Sequence, residues 1–371
     1  FWILAMGAMF AYEFELIGKV CSITLSHTFR EVWQDTIGDR GALAVSLVNM
    51  LKPALGNLAY SMILADTFRS LFGSMGFDFS RNASLGLITL VGILPLCLLK
   101  KLDALAPFSV VGTAGVFLTA ICMGIRYFDG SYDPLRSGKF VDDIPADMLP
   151  LFGSYNGAWT GSVLVFAAMI YEAFVAHYNS PRFYSELKDA SVGRFRVVVG
   201  IAFGFSSLVY VIMTFFGYLT FGGNCSGYIL NNYSVNDRLA TICRVAIAFS
   251  ILFTYPITFM GFRDGILDIV ELPIEQQTSA NINIITLVLL AIVTVLASVV
   301  TDLGYVNAVG GGTLAAAIVF VFPYLMYSAA MKAQPAPPSQ AQRMEVSFAF
   351  GLLIIGVIMG LVGVIVELQN D

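Results

Sequence analysis

Four polar or helix-breaking residues interrupt an otherwise apolar run between residues 163 and 184. They are Glu172, His177, Asn179 and Pro181. An ionised side chain at the centre of a membrane helix costs at least about 2.5 kcal/mol, and such groups usually face a protein-lined cavity or a substrate pathway. This segment is therefore the first candidate for a functional site.

Glu172 and His177 are suited to proton transfer. A histidine titrates near neutral pH, and a buried carboxyl group can carry a proton instead. Five residues of ideal helix place the two side chains about 140° apart, so a direct pair requires the helix to unwind between them. The alternative is a histidine hydrogen-bonded to a neighbouring helix and a glutamate that faces a wet vestibule.

The composition indicates which kind of element carries these residues. Hydrophobic residues make up 57% of the 371 and charged residues 12%, against about 25% charged in soluble domains. Apolar runs long enough to cross a bilayer as helices recur along the chain, which excludes a barrel of ten-residue alternating strands. We expect an all-α integral membrane protein, a polytopic helical bundle forming one domain over 1–371, with ten spans near 1–24, 41–65, 83–99, 105–125, 159–180, 196–221, 239–262, 283–301, 305–327 and 346–367.

Basic residues are distributed unevenly between the two sets of loops. One set holds eleven of them, including Lys100 and Lys101, and the opposite set holds six. Because cytosolic loops are richer in Lys and Arg, the first set is predicted to be cytosolic. Phe1 opens directly into an apolar segment without a basic flank, so we expect at least one further span upstream.

The sequence lacks the motifs that are typical of several other classes of function. There is no G-x-x-x-x-G-K-[ST] sequence, which disfavours a pump driven by its own ATP hydrolysis. The five cysteines show no metal-site spacing, and a net charge of −5 gives no reason to expect nucleic acid. We expect no enzymatic activity and no organic cofactor.

A series of motifs resembles one transporter family. Residues 173–187, AFVAHYNSPRFYSEL, are similar to the sixth helix of the amino acid/auxin permease family, whose members carry a His and then Tyr-x-Glu-Leu at its cytosolic end. The likeness extends over nearly the whole chain, and particularly to sodium-coupled neutral and vacuolar amino acid transporters. It is carried by 57–66, 81–100, 217–221, 229–233, 254–256, 302–304 and 310–312.

This resemblance implies a fold with inverted repeats. Members of the family have eleven spans and are taken to share the leucine-transporter-like fold, in which the first helix of each five-helix repeat is broken near the bilayer midplane. Residues 159–187 would be the second broken helix. Ten predicted spans imply that the first helix is absent from this sequence.

The resemblance also implies substrate-binding residues. Two breaks are possible in 159–187, one over Met169–Phe174 and one over His177–Pro181, and the family favours the first because it lies near mid-membrane. An aromatic residue on the family's third helix can close over the substrate from the side. The predicted substrate-binding residues are Tyr60, Tyr171, Glu172, Ala173 and Phe174.

Ion coupling is assigned in the same way. In sodium-coupled members the hydroxyl that corresponds to Thr254 is implicated in the sodium site, and Ser250, one turn earlier, could supply a second oxygen. The alternative is that Thr254 bonds back to its own helix. His177 is the candidate for coupling to protons, so H⁺ and Na⁺ both remain open. Lys52 lies within a span and needs a partner, for which Glu13 and Glu15 are candidates.

The resemblance therefore predicts secondary active transport of L-amino acids by alternating access, as a symporter or antiporter, with the amino acid and the lipid bilayer as partners. The membrane would be the plasma membrane or a vacuolar or lysosomal one. A membrane amino acid sensor that binds without transport stays open as an alternative. A channel would need a continuous polar stripe through several spans, whereas the polar residues cluster in a few.

Overall fold

The computed structural model describes residues 1–99, 106–152, 162–270 and 276–370. Lys100 and Lys101, and residues 159–161 at the start of the fifth predicted span, lie outside these ranges. The described residues form fourteen α-helices: α1 (Trp2–Thr24), α2 (Phe29–Ile37), α3 (Ala42–Ser74), α4 (Arg81–Ile88), α5 (Leu94–Cys97), α6 (Ala106–Phe128), α7 (Ser162–Phe174), α8 (Ser180–Glu186), α9 (Val192–Phe221), α10 (Arg238–Val270), α11 (Ser279–Val299), α12 (Leu303–Gly310), α13 (Phe322–Ala333) and α14 (Gln340–Asn370).

Each of the ten predicted spans overlaps a helix in the described part of the chain. Seven helical runs there are long and apolar enough to cross a membrane by length and composition. Of the others, α1 is 23 residues long but carries Glu13, Glu15 and Lys19, the run Arg81–Cys97 is shorter, and α7 has 13 residues. The predicted fold class, an all-α polytopic membrane protein, is confirmed.

The chain divides into two compact units. The first unit consists of 1–52, 159–208 and 307–371, and the second unit of 53–158 and 209–306. Each unit is assembled from separate stretches of sequence, so side chains far apart along the chain become neighbours within it.

In the first unit, the short helix α2 is fixed against α13. Thr28 caps α2 by accepting a hydrogen bond from the Glu31 N–H, and the Glu31 carboxylate accepts one from the Thr28 N–H. The rings of Phe29 and Trp33 pack edge-on against Phe322, with centroids 6.1 and 5.5 Å away.

The run from 303 to 333, which belongs to the first unit from residue 307 onward, is helical throughout but changes type. Two π-helical segments, Gly311–Ala315 and Ala317–Val321, precede α13. Glycines bring this run, α7 and α14 into backbone contact: a Cβ on Gly312 would lie 2.5 Å from the Gly360 carbonyl oxygen, and one on Gly363 would lie 2.4 Å from that of Leu164. Small residues that permit such approach are characteristic of helix packing in membranes.

In the second unit, α6 packs along α10 through glycines. A Cβ on Gly112 would lie 2.6 Å from the Ser250 hydroxyl, and one on Gly115 would lie 3.1 Å from the Ala246 Cβ. Replacing either glycine would push the helices apart. This contact fixes the face of α10 that carries Ser250.

At one end of the second unit, loops are closed by a buried ion pair. Arg126 donates two hydrogen bonds to the fully buried Asp237, at 2.8 and 2.6 Å. It donates a third to Asp129 at 2.7 Å. Burial acts to raise the pKa of Asp129, but hydrogen bonds from Ser131 and Arg126 outweigh it and hold that pKa below its ordinary value.

A second buried arginine in this unit, Arg244, binds backbone carbonyls. The Arg244 guanidinium donates to the carbonyl oxygens of Leu230, Tyr233 and Ser234 at 2.9, 2.6 and 3.2 Å. These carbonyls follow one another around the turn at 229–234. Arg244 therefore ties the loop before α10 to the helix itself.

Candidate functional site

The apolar run that holds Glu172 and His177 is broken at the second of the two possible positions, His177–Pro181, and not at the favoured one. Helix α7 continues to Phe174, Ala176 has φ −137° and ψ 8°, a 3₁₀ turn covers His177–Asn179, and α8 starts at Ser180. The predicted break over Met169–Phe174 was wrong. Those residues include no glycine or proline, whereas Pro181 fits the first turn of a new helix, where its missing N–H does no harm.

His177 lies in the break and is bound to α1. Its Nε2 is 2.9 Å from the Phe10 carbonyl oxygen, and the side chain is completely buried. One turn further, the Ser180 hydroxyl donates to the Phe14 carbonyl oxygen at 2.9 Å. His177 and Glu172 do not pair directly, and the histidine bonds to a neighbouring helix. Its role in ion coupling stays a prediction.

The four residues from Tyr171 to Phe174 divide between two faces of α7. Tyr171 and Phe174 are buried against the ring of Phe10, with centroids 5.3 and 5.8 Å away, and the Tyr171 hydroxyl donates to a carbonyl of α14. Glu172 is partly exposed and Ala173 exposed. A ligand at the end of α7 would therefore meet Glu172 and Ala173, with the two aromatic rings as their support.

Glu172 forms an ion pair with Lys52. The Lys52 Nζ lies 2.5 Å from Glu172 Oε1, with 6% and 13% of the two side chains exposed. The candidate partners for Lys52, Glu13 and Glu15, were wrong: Glu15 binds Arg196 and Lys19, and neither Glu13 carboxylate oxygen has a hydrogen-bond partner among the described residues. The second oxygen of Glu172, Oε2, is buried and likewise lacks one.

Gly311 sets the position of the last turn of α7. A Cβ on this residue would lie 1.9 Å from the Ala168 carbonyl oxygen and 2.9 Å from the Glu172 nitrogen. No other residue type fits there without displacing backbone. The first π segment thus supports the helical turn that carries Glu172.

The predicted sodium ligands lie in the second unit. Ser250 and Thr254 are one turn apart on α10, and the Thr254 hydroxyl donates to the Ser250 carbonyl oxygen at 2.8 Å. This is the alternative in which threonine bonds back to its own helix. The lone pairs of the hydroxyl oxygen are still able to accept a cation, so the sodium role stays a prediction.

Tyr60 also belongs to the second unit. It lies on α3, and its ring centroid is 6.4 Å from that of the fully buried Tyr255. The Tyr255 hydroxyl in turn shares a hydrogen bond with Ser61 at 3.0 Å. Tyr60 is partly exposed, and its predicted contact with substrate is untested.

Two residues of the candidate site were not among the predicted site residues. Lys52 was noted as a charge within a span, but its pairing with Glu172 joins positions 120 apart in sequence. Gly311 belongs to a run of three glycines, which the motif series contained without assigning a function. A lysine in an apolar run and a glycine cluster were the available signals.

The chain as a whole is similar in sequence to known transporters. A family model described as "Transmembrane amino acid transporter protein" matches residues 2–368. A human protein named "Putative sodium-coupled neutral amino acid transporter 11" is 25% identical over 367 residues, covering 97% of this chain and 84% of that protein. The zebrafish (Danio rerio) protein of the same name is 26% identical over 322 residues, covering 84% and 67%.

A plant protein is similar as well. "Amino acid transporter AVT6E" of Arabidopsis thaliana is 23% identical over 369 residues, covering 95% of this chain and 71% of that protein. These matches extend over both units, because they span almost the entire chain.

Proposed function

Because the chain belongs to the transmembrane amino acid transporter family, we propose that it is a secondary active transporter of L-amino acids. Transport proceeds by alternating access and is driven by a gradient of Na⁺ or H⁺, in a symporter or an antiporter. The two units together serve as one transport domain over 1–371. The observation that carries the proposal is the Lys52–Glu172 ion pair at the end of α7, where the helix is interrupted. The chain around it matches this family from residue 2 to 368.

The end of α7 supports a substrate site. A helix C-terminus presents carbonyl groups without intrahelical partners, and hydrocarbon tolerates such backbone only where it is buried in protein or lines a cavity. Glu172 and Ala173 lie on the accessible face of this turn, and Tyr171 and Phe174 brace it. Tyr60 on α3 is proposed separately as an aromatic contact of the substrate.

The names of the animal relatives favour sodium as the coupling ion. Ser250 and Thr254 are the proposed ligands, because a hard cation takes oxygen ligands. His177 is the proposed coupling residue if protons drive transport.

Uptake by proteoliposomes containing the full chain tests the function. Labelled L-amino acids should accumulate above the external concentration when a Na⁺ or H⁺ gradient is imposed, and an ionophore that collapses the gradient should abolish accumulation. Saturable binding without accumulation would reject transport and favour the amino acid sensor.

Variants of α10 test the sodium site. Thr254→Val removes the hydroxyl but keeps the shape, and we expect the sodium concentration for half-maximal uptake to rise about tenfold, the effect of losing one interaction with a charged group. Thr258→Val is the matched control, since Thr258 lies one turn further on α10 and also bonds back to a carbonyl. Equal sodium dependence in the two variants would argue against Thr254 as a ligand.

A variant of the break tests proton coupling. His177→Gln keeps a donor for the Phe10 carbonyl but cannot carry a proton at neutral pH. If His177 couples transport to protons, uptake in this variant should no longer respond to a pH gradient. An unchanged response in a variant that still transports would exclude the role.

A further inference from the structure

The Lys52–Glu172 pair has the chemistry of an amino acid's own charged groups. Lys52 on α3 presents a primary ammonium and Glu172 on α7 a carboxylate; they are 2.5 Å apart and almost wholly buried, and both residues belong to the first unit. In the apolar core of a membrane each charge alone is strongly disfavoured. The two charges are therefore stable there only with partners of opposite sign.

The surroundings of Glu172 favour an ammonium group. The carboxylate lies two residues before the end of α7, and a helix C-terminus attracts cations. Lys52 uses one oxygen of Glu172, while the other, Oε2, is buried without a hydrogen-bond partner among the described residues. The site thus binds one ammonium and has acceptor capacity left over.

The Lys52 ammonium is also able to move away from Glu172. It is a point charge on a flexible four-carbon stem, with three donors that can be redirected. The pair is not sealed from the surface, because 13% of the Glu172 side chain is exposed. A small ligand that reaches Glu172 can take the place of Lys52.

From these contacts we infer that Lys52 occupies, in the empty transporter, the position of the substrate's α-ammonium group. When a zwitterionic amino acid binds, its α-ammonium pairs with Glu172 and the released Lys52 ammonium pairs with its α-carboxylate. One buried ion pair becomes two, no charge is left unpaired, and the net charge of the site does not change. This inference rests on the proposed function and names the groups that recognise the substrate.

The exchange sets a rule for ligands. A ligand with both charges satisfies Lys52 and Glu172 together. A ligand with one charge would leave the other residue buried without a partner, which is heavily penalised. L-alanine should therefore bind, while ethylamine and propionate, which each keep one of its charged groups, should not.

Each single variant should bind one of the two singly charged ligands that the wild type excludes. In Lys52→Met, Glu172 has no resident ammonium, so ethylamine should now bind and the affinity for L-alanine should fall at least tenfold. In Glu172→Gln, propionate should bind at Lys52 and L-alanine should again lose at least tenfold. Binding is measured as ligand-induced thermal stabilisation of the purified full chain, and KM by uptake in proteoliposomes.

Two further variants keep the test decisive if a single variant does not fold. Lys52→Met combined with Glu172→Met leaves no unpaired charge, and replacing a buried pair by apolar residues is often neutral or stabilising. This variant should fold and lose measurable L-alanine binding. Lys19→Met, which removes an ion-paired lysine elsewhere in the first unit, should leave the KM for L-alanine unchanged.

The outcomes separate the inference from the function. A double variant that folds and transports L-alanine with the wild-type KM overturns the inference and leaves the transporter intact. Single variants that keep wild-type discrimination against ethylamine and propionate overturn it as well. A wild-type protein that accumulates no labelled amino acid would instead reject the proposed function.

Discussion

Replacing Gly311 by alanine should destabilise the protein, although alanine is the better helix former. The new Cβ would lie 1.9 Å from the Ala168 carbonyl oxygen, and a relaxed carbon–oxygen contact is about 3.3 Å. The two backbones must therefore separate by about 1.4 Å. Gly351→Ala is the matched control, because that glycine lies in α14 of the same unit with nothing within 4 Å of the added Cβ.

The magnitude follows from two opposing effects. Overpacking costs about 1–3 kcal/mol, and the upper half of this range applies because the obstructing atom is backbone and cannot rotate away. Alanine gains about 1 kcal/mol over glycine in a helix. Gly311→Ala should lose about 1–2 kcal/mol net and Gly351→Ala should gain up to about 1 kcal/mol.

Unfolding of the purified variants by titration with sodium dodecyl sulfate, followed by circular dichroism, measures this difference. Transport should fall only in Gly311→Ala, because the displaced turn of α7 carries Glu172. If Gly311→Ala is as stable as Gly351→Ala, the close contact between the π segment and α7 does not exist, and the account of how Glu172 is positioned is refuted.

The loops of the second unit give two more predictions. Asp237→Asn leaves the Arg126 guanidinium without its main buried counter-charge. It should lower the free energy of unfolding by roughly 3 kcal/mol in the same assay. Glu186→Gln, in an exposed pair with Arg182, is the control and should change that free energy by less than about 1 kcal/mol. The pKa of Asp129 is lowered on folding, so its contribution is complete above the ordinary aspartate pKa and is lost as the pH falls through the lowered value. An acid titration of stability should show this loss in the wild type but not in Asp129→Asn.

The sequence predicted what depends on composition and local pattern. Apolar runs located the helices because a bilayer-crossing helix needs about twenty apolar residues in succession. The motif around His177 predicted the family because residue types and spacing are local properties. A histidine bonded to a neighbouring helix was among the stated alternatives, since a buried polar group must find a partner.

What the sequence did not predict depends on contacts between distant segments. The partner of Lys52 could have been any carboxylate in the bundle, and no local pattern distinguished Glu172 from Glu13 and Glu15. Of the two possible breaks, the one over Met169–Phe174 was favoured because of its expected membrane depth. Helix propensity keeps Met169–Phe174 helical, and the break lies at the other candidate, where Pro181 marks the start of the next helix. The roles of Tyr60, Ser250 and Thr254 depend on what binds beside them, which no local pattern encodes.

The π segments before α13 make the number of residues in this region as important as their identity. A π turn holds about one residue more than an α turn, so each of the two π segments rotates every side chain beyond it by about 100° relative to an uninterrupted α-helix. Phe322 meets Phe29 and Trp33 with both rotations in place. Deleting one residue between Gly311 and Val321 would leave a continuous helix of similar apolarity and still turn Phe322 away from α2. Single-residue insertions and deletions in this stretch should therefore be tolerated far less than conservative substitutions.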